Sequence, residues 1–147
     1  MQFTKMNCLG SSFVLFNLLE DSLDQVDFPG LAKRVSDVTI GIGSDGMILI
    51  GPSHRADFKM RVFNKDGIEA DTCLNGLRCV AAYLYDTMYA DTPAFTIETS
   101  AGGIGVKVDI GKKRKAKSVL VWDKRKRAWT KGEVSYVCYG ELEKLKT

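Results

Sequence analysis

"EADTCLNGLRCVAAYLYD", residues 69–86, is where the character of the chain changes. An acidic, turn-rich lead gives way to apolar residues at helical spacing. Leu77, Val80, Ala81, Leu84 and Met88 recur three to four residues apart, so the spacing predicts the longest helix of the chain over residues 74–88. Leu77, Cys79, Val80, Ala82, Tyr83 and Leu84 leave it little polar face, the pattern of a helix buried on most sides. Cys73 stands about one residue before that helix. Backbone N–H groups at a helix start lack intrahelical partners and the helix dipole is positive there. A thiolate or a substrate carboxylate is stabilised at such a point. The same position also suits a half-buried cysteine without chemistry, since free cysteine is commonly buried. Spacing alone leaves both readings open. Cys79 and Cys138 are expected in the core.

Outward from the helix, the pattern is one of strands. On the N-terminal side, "QFTKMN" alternates as a strand, "CLGSS" reads as a loop, and "FVLFNLL" is a strand apolar enough to be buried. "FPGLAKRVSD" reads as a short helix with Pro29 in its first turn. "IGIGSDGMILIG" is a glycine-punctuated turn entering an apolar strand, and "DFKMRVFN" a strand with one wet face before the tight turn "KDG". On the C-terminal side, "AFTIETS", "GIGVKVDIG", "SVLVWD" and "EVSYVCYGEL" read as four further strands. The expected class is α+β, an antiparallel sheet curled round a central helix. No internal repeat is evident.

Totals narrow the functional classes. The chain has 147 residues, 45% hydrophobic and 27% charged, the size and composition of a single globular domain. No apolar run approaches the roughly 20 residues of a membrane span, and "MQFTKMNCLG" lacks the apolar region of a signal peptide. A cytoplasmic protein with reduced thiols and no membrane partner is therefore expected. Four cysteines without a CxxC pair and the single histidine, His54, form no zinc set, so no metal is expected. Net charge is +3 but uneven: residues 112–147 hold 12 Lys/Arg against 4 Asp/Glu. Two runs cause this, "KKRKAK" at 112–117 and "DKRKR" at 123–127. Such runs can bind nucleic acid or anionic surfaces. Neither is interleaved with aromatics, so solvated connections are expected and a nucleic-acid partner is not.

Several separated motifs resemble one family. "KMNCLGSSFVLF", "GIGSDGMILI", "ADFKMRVFNKDGIEADTCLNGLRC" and "TIETSAG" are similar, in this order, to the blocks of diaminopimelate epimerase, and they cover most of residues 1–111. The resemblance implies a lobe in which Cys73 is one of two catalytic thiols. It implies that Asn64, Asn75 and Gly76, with Ser11 in place of a family asparagine, border a small amino-acid or carboxylate ligand. It implies proton transfer at an amino-acid α-carbon, in lysine and peptidoglycan precursor chemistry, without a cofactor.

The chain also departs from that family. The family's "GNDF" reads Ser11-Ser12 at its polar pair, and the glycine after the catalytic cysteine is Leu74. The glycine before "LG" is Cys8. The second-lobe thiol motif does not occur, yet "SVLVWDKRKRAWTKGEVSYVCYGEL" resembles the family's extreme C-terminus, whose last strand returns to the first lobe. The expectation is one epimerase-like lobe over residues 1–147: a core at 1–111, a basic connection at 112–117 replacing the second lobe, and returning strands at 118–147. Such a lobe is expected to be inactive alone. The alternatives are a homodimer pairing two Cys73 across the cleft face, or binding of a partner or nucleic acid through the basic tail.

Overall fold

The computed structural model describes residues 1–20 and 25–142. Nine strands and two α-helices follow in the order β1 (Gln2–Cys8), β2 (Ser11–Asn17), α1 (Phe28–Ser36), β3 (Gly46–Gly51), β4 (Phe58–Asn64), β5 (Glu69–Ala70), α2 (Leu74–Asp86), β6 (Ala94–Thr99), β7 (Gly102–Ile110), β8 (Ala116–Asp123) and β9 (Ala128–Glu141). The sheet runs β3-β2-β1-β9-β8-β7-β6-β4, and pairing of β3 with β4 closes it; the two-residue β5 hangs on β4. The result is a mixed eight-stranded barrel with two helices. Helix α2 touches β1, β2, β4, β7, β8 and β9, and eight of its residues are buried.

The expected all-antiparallel sheet is corrected in two places. β2 pairs parallel with β3, and β4 pairs parallel with β6. Each pair is joined by a crossover that carries a helix, α1 in the first case and α2 in the second. A strand that returns through a helix re-enters the sheet in the same direction. One crossover helix lies against the outer surface and the other within the barrel, so the apolar residues divide into two clusters. Met6, Phe13, Leu15, Ile48, Ile50 and Val62 pack round α2, whereas Val14, Phe16, Met47, Leu49 and Phe63 pack beneath Leu31, Ala32 and Val35 of α1. β2 and β3 are therefore covered on both faces. This explains why "FVLF" and "MILI" are unbroken apolar runs rather than alternating ones.

α1 has Pro29 in its first turn, as expected, and Asp27 just before it accepts the Gly30 N–H at 3.1 Å. α2 stops at Asp86, short of the expected residue 88. Met88 has φ 68° and is 84% exposed, so it ends the helix instead of extending its apolar face. "CLGSS" is shorter than a five-residue loop. Leu9 and Gly10, with φ 48° and 84°, form a two-residue hairpin turn, and Ser11 and Ser12 belong to β2.

The C-terminal strand closes the gap between the first strands and the β7–β8 meander. Gln2 to Cys8 register with Glu141 to Val134, with a bulge where Lys5 pairs with Cys138 and Met6 with Tyr136. Tyr136 also donates its hydroxyl to Asp86 Oδ2 at 2.6 Å, tying β9 to the end of α2. Asp86 Oδ1 accepts the Ala116 N–H at 2.8 Å. Cys138, expected in the core, is only half-buried, as are Val134 and Tyr136 of β9. The two basic runs lie at opposite ends of β8. Residues 112–115 form the β7–β8 connection and residues 124–127 the β8–β9 turn; all of these are exposed.

Candidate active site at the start of helix α2

Cys73 is the N-cap of α2. Its backbone is extended, with φ −151° and ψ 111°, and its Sγ accepts the Gly76 N–H at 3.4 Å. Its carbonyl accepts the Leu77 N–H at 2.9 Å, the first bond of the helix ladder. The N–H groups of Leu74 and Asn75 precede any intrahelical partner. A Cβ at Gly76 would be tight, 3.0 Å from Ile48 Cδ1 and 3.6 Å from the Cys73 sulfur. Cys73 is half-buried, whereas Cys8 and Cys79 are 1% and 0% exposed.

Beneath Cys73 lies a polar cluster inside the barrel. Arg78, 4% exposed, donates through Nη1 to Asn75 Oδ1 at 2.7 Å. Its Nη2 donates to the Thr130 carbonyl at 3.1 Å and hydroxyl at 2.7 Å. The Cys8 thiol lies 3.7 Å from the same Asn75 oxygen. Among the described residues Arg78 Nε has no hydrogen-bond partner. Among the described residues no carboxylate pairs with this guanidinium, so its charge is compensated only by neutral oxygens. Gly132 leaves room for it, since a Cβ there would be 2.7 Å from Arg78 Cδ and 3.1 Å from Cys8 Sγ. Burial pushes the Cys8 thiol above its ordinary value, and the nearby Arg78 charge opposes that rise. Cys79 is raised further, chiefly by burial.

Cys73, Asn75 and Gly76 thus come together on the first turn of α2. Ser11 joins them indirectly, as the β-partner of Cys8. Asn64 does not enter this set of contacts. It is the exposed last residue of β4, registered with Gly46, and its N–H and carbonyl close the following turn with Ile68 and Gly67. Ser12 and Asp45 bond reciprocally: Ser12 N–H donates to Asp45 Oδ2 at 2.8 Å and Asp45 N–H to the Ser12 carbonyl at 2.9 Å. Arg78, Thr130 and Asp45 were not singled out by sequence reasoning. A lone arginine in the apolar "LNGLRCVAAYL" was the available signal for the first.

The barrel that encloses α2 is a fold shared with solved structures described as a racemase, an epimerase and an isomerase. The described structure aligns with a phenazine biosynthesis protein of the PhzF family from Bacillus anthracis at TM-score 0.65 and 19% identity, covering 82% of this chain and 40% of that one. It aligns with a probable proline racemase from Agrobacterium radiobacter K84, solved with bound carbonate, at TM-score 0.61 and 16% identity, covering 82% and 40%. Sequence narrows the assignment. The family model described as diaminopimelate epimerase matches residues 3–121. Diaminopimelate epimerase of Bacillus thuringiensis (strain Al Hakam) is 47% identical over 108 residues, which are 74% of this chain and 38% of the relative. The protein of the same description from Bacillus anthracis (strain CDC 684 / NRRL 3495) matches equally. The chain belongs to the diaminopimelate epimerase family, and it spans well under half the length of the curated relatives it matches.

Proposed function

We propose that the chain is a single epimerase-type lobe in which Cys73 is the proton-transfer thiol, and that this lobe alone does not invert an α-carbon. The observation that carries the reading is the placement of Cys73: half-buried, N-capping α2, with the N–H groups of Leu74 and Asn75 beside it. In this reading those N–H groups and the helix dipole hold a substrate carboxylate, and the Cys73 thiolate removes the proton from the adjacent carbon. Asn75, its oxygen fixed by Arg78, orients its amide NH2 toward the same ligand. Gly76 keeps the turn open, and Asn64 and Ser11 border the ligand from β4 and β2. No cofactor takes part.

Stereoinversion needs an acid on the opposite face of the carbon, held in geometry with the base. Cys8 and Cys79 are packed into the same lobe and do not supply it. The family's second lobe would, and residues 112–117 stand where that lobe is replaced. The family resemblance of the tail, together with the β1–β9 pairing, supports this reading of an internal replacement. Leu74 adds an isobutyl group where the family has a bare backbone, which disfavours the ancestral diaminopimelate carboxylate.

A second reading has a specific observation in its favour. Leu9 and Ile68, 62% and 63% exposed, lie in the turns at the Cys73 end of the barrel. Exposed apolar side chains round a site mouth suit contact with another surface. A second copy docked there on a two-fold axis would set two Cys73 thiols across one cleft. The reading through nucleic acid has less support, because the two basic runs lie at opposite ends of β8 and form no common patch.

Limited alkylation with iodoacetamide and mass mapping tests the main reading. Cys73 should be labelled first, Cys8 and Cys79 last, and millimolar diaminopimelate or another α-amino carboxylate should slow labelling of Cys73 alone. Preferential labelling of Cys79, or a Cys73 that does not react in the folded protein, would remove the basis for assigning it chemistry.

A further inference from the structure

The proton-transfer reading uses Arg78 only to fix one oxygen, yet its guanidinium is the buried ion of the barrel interior. It is 4% exposed, and three oxygens take its Nη protons: Asn75 Oδ1 at 2.7 Å, the Thr130 carbonyl at 3.1 Å and the Thr130 hydroxyl at 2.7 Å. Burying a charge against neutral oxygens alone costs stability, so stability is a poor reason for this residue to be here.

The chemistry of the guanidinium dictates which way the Asn75 amide faces. A guanidinium only donates, so the atom turned toward it must be Oδ1, and the NH2 must point away. The Cys8 thiol, a weak donor 3.7 Å from the same oxygen, favours the same orientation. Among the described residues Asn75 Nδ2 has no hydrogen-bond partner, and unlike Arg78 Nε it is not a buried atom. The NH2 group therefore meets solvent on the same first turn as Cys73. The other end of the guanidinium is held by the barrel wall. Thr130 lies on β9, registered with Val121 of β8, and its hydroxyl lies 3.4 Å from the Val121 carbonyl.

We infer that Arg78 and Thr130 are positioning residues of the helix-start site: they hold the Asn75 NH2 toward the ligand, so that the site selects a hydrogen-bond acceptor. The inference rests on the reading of the helix start as a ligand site. A ligand oxygen meets a donor already oriented, with little further ordering to lose on binding. An Asn75 amide free to turn would present oxygen and nitrogen alike and select less sharply. The returning strand then has a role besides closing the barrel, because β9 acts on the ligand through Thr130, Arg78 and Asn75 in turn.

Side-chain 15N relaxation of the whole chain tests this, with the Asn75 NH2 signals assigned by their loss in Asn75→Asp. In the wild type that group should be as rigid as ordered backbone, with an order parameter of about 0.85. It should fall below about 0.6 in Arg78→Met and part of the way in Thr130→Val, while the backbone N–H groups of residues 74–77 stay rigid in both. A merely structural role would loosen backbone and side chain together. Thr130→Val keeps the carbonyl bond and the side-chain shape, and it carries the test if Arg78→Met misfolds. L-alanine, a small α-amino carboxylate, should shift the wild-type Asn75 NH2 signals saturably. Half-saturation should need about tenfold more L-alanine in Arg78→Met, in keeping with one hydrogen bond to a charged group. An amide equally rigid in the wild type and both variants, or L-alanine binding unchanged in Arg78→Met, would overturn the inference and leave the ligand site standing. A rigid wild-type amide with no saturable shift would instead overturn the ligand reading beneath it, and the inference with it.

Discussion

Removing residues 132–147 strips β1 of its partner, and the cost can be worked from the register. Seven residue pairs join β1 to β9, from Gln2↔Glu141 to Cys8↔Val134. At about 1 kcal/mol net for each ladder hydrogen bond, and about one bond per pair, the loss is about 7 kcal/mol. Further losses follow. Val134 and Tyr136 pack against the inner cluster, and Tyr136 holds Asp86. Domains of this kind have about 5–15 kcal/mol of total stability, so the truncated chain should not stay folded. It should also expose β1 as a free edge, with fully buried Met6 opened to solvent, and aggregate. Circular dichroism melting, with light scattering as a second readout, is the assay. A truncated chain that remains monomeric and melts cooperatively at the wild-type midpoint would refute the reasoning. It would mean that the returning strand is an ornament on a lobe already complete.

The remaining predictions concern side chains. Replacing Lys112, Lys113, Arg114 and Lys115 with serine should change stability by no more than about 0.5 kcal/mol in urea titration, because all four are exposed; a change of several times that would show that the connection is part of the fold. Tyr136→Phe leaves Asp86 without its 2.6 Å donor and should cost about 1–2 kcal/mol in the same titration, whereas an unchanged midpoint would mean that water replaces the bond freely. Burial raises the Tyr136 hydroxyl above its ordinary value of 10.0 and the Cys79 thiol above 9.0. Both contributions are whole below those unfolded values and are lost as pH rises beyond them, so the melting temperature should fall progressively above pH about 9 and more steeply above about 10. A melting temperature flat to pH 12 would show that neither group is desolvated.

Much of this architecture can be read locally. The alternation of "DFKMRVFN" and the helical spacing after Asn75 correspond to β4 and α2, and Pro29 near the first turn of "FPGLAKRVSD" corresponds to α1. What the sequence conceals is non-local. Parallel pairing of β2 with β3 and of β4 with β6 depends on the helices between them, and closure of β3 on β4 depends on the whole sheet. "FVLF" and "MILI" signal burial on both faces without saying which face meets which helix. The short β5 makes only two pairings and leaves no period to detect. At the candidate site, Cys73, Asn75 and Gly76 are neighbours in sequence and so fall together on one helical turn. The contacts beneath them are not local: Cys8, Thr130 and Gly132 reach Arg78 only because β1 and β9 lie side by side in the wall of the closed barrel. Met88 shows the opposite failure, a residue in helical register that a left-handed backbone turns out to solvent.

The most direct test of the account is stereoisomer conversion over a protein concentration series. The chain is incubated with LL-diaminopimelate in deuterated water, and the meso isomer is followed by chiral chromatography. One thiol on one face can return a proton only to that face. The account therefore predicts no meso product at any concentration, with or without Cys73. Conversion that rises with the square of protein concentration and disappears in Cys73→Ala would contradict it, because two lobes would then be assembling into a working cleft.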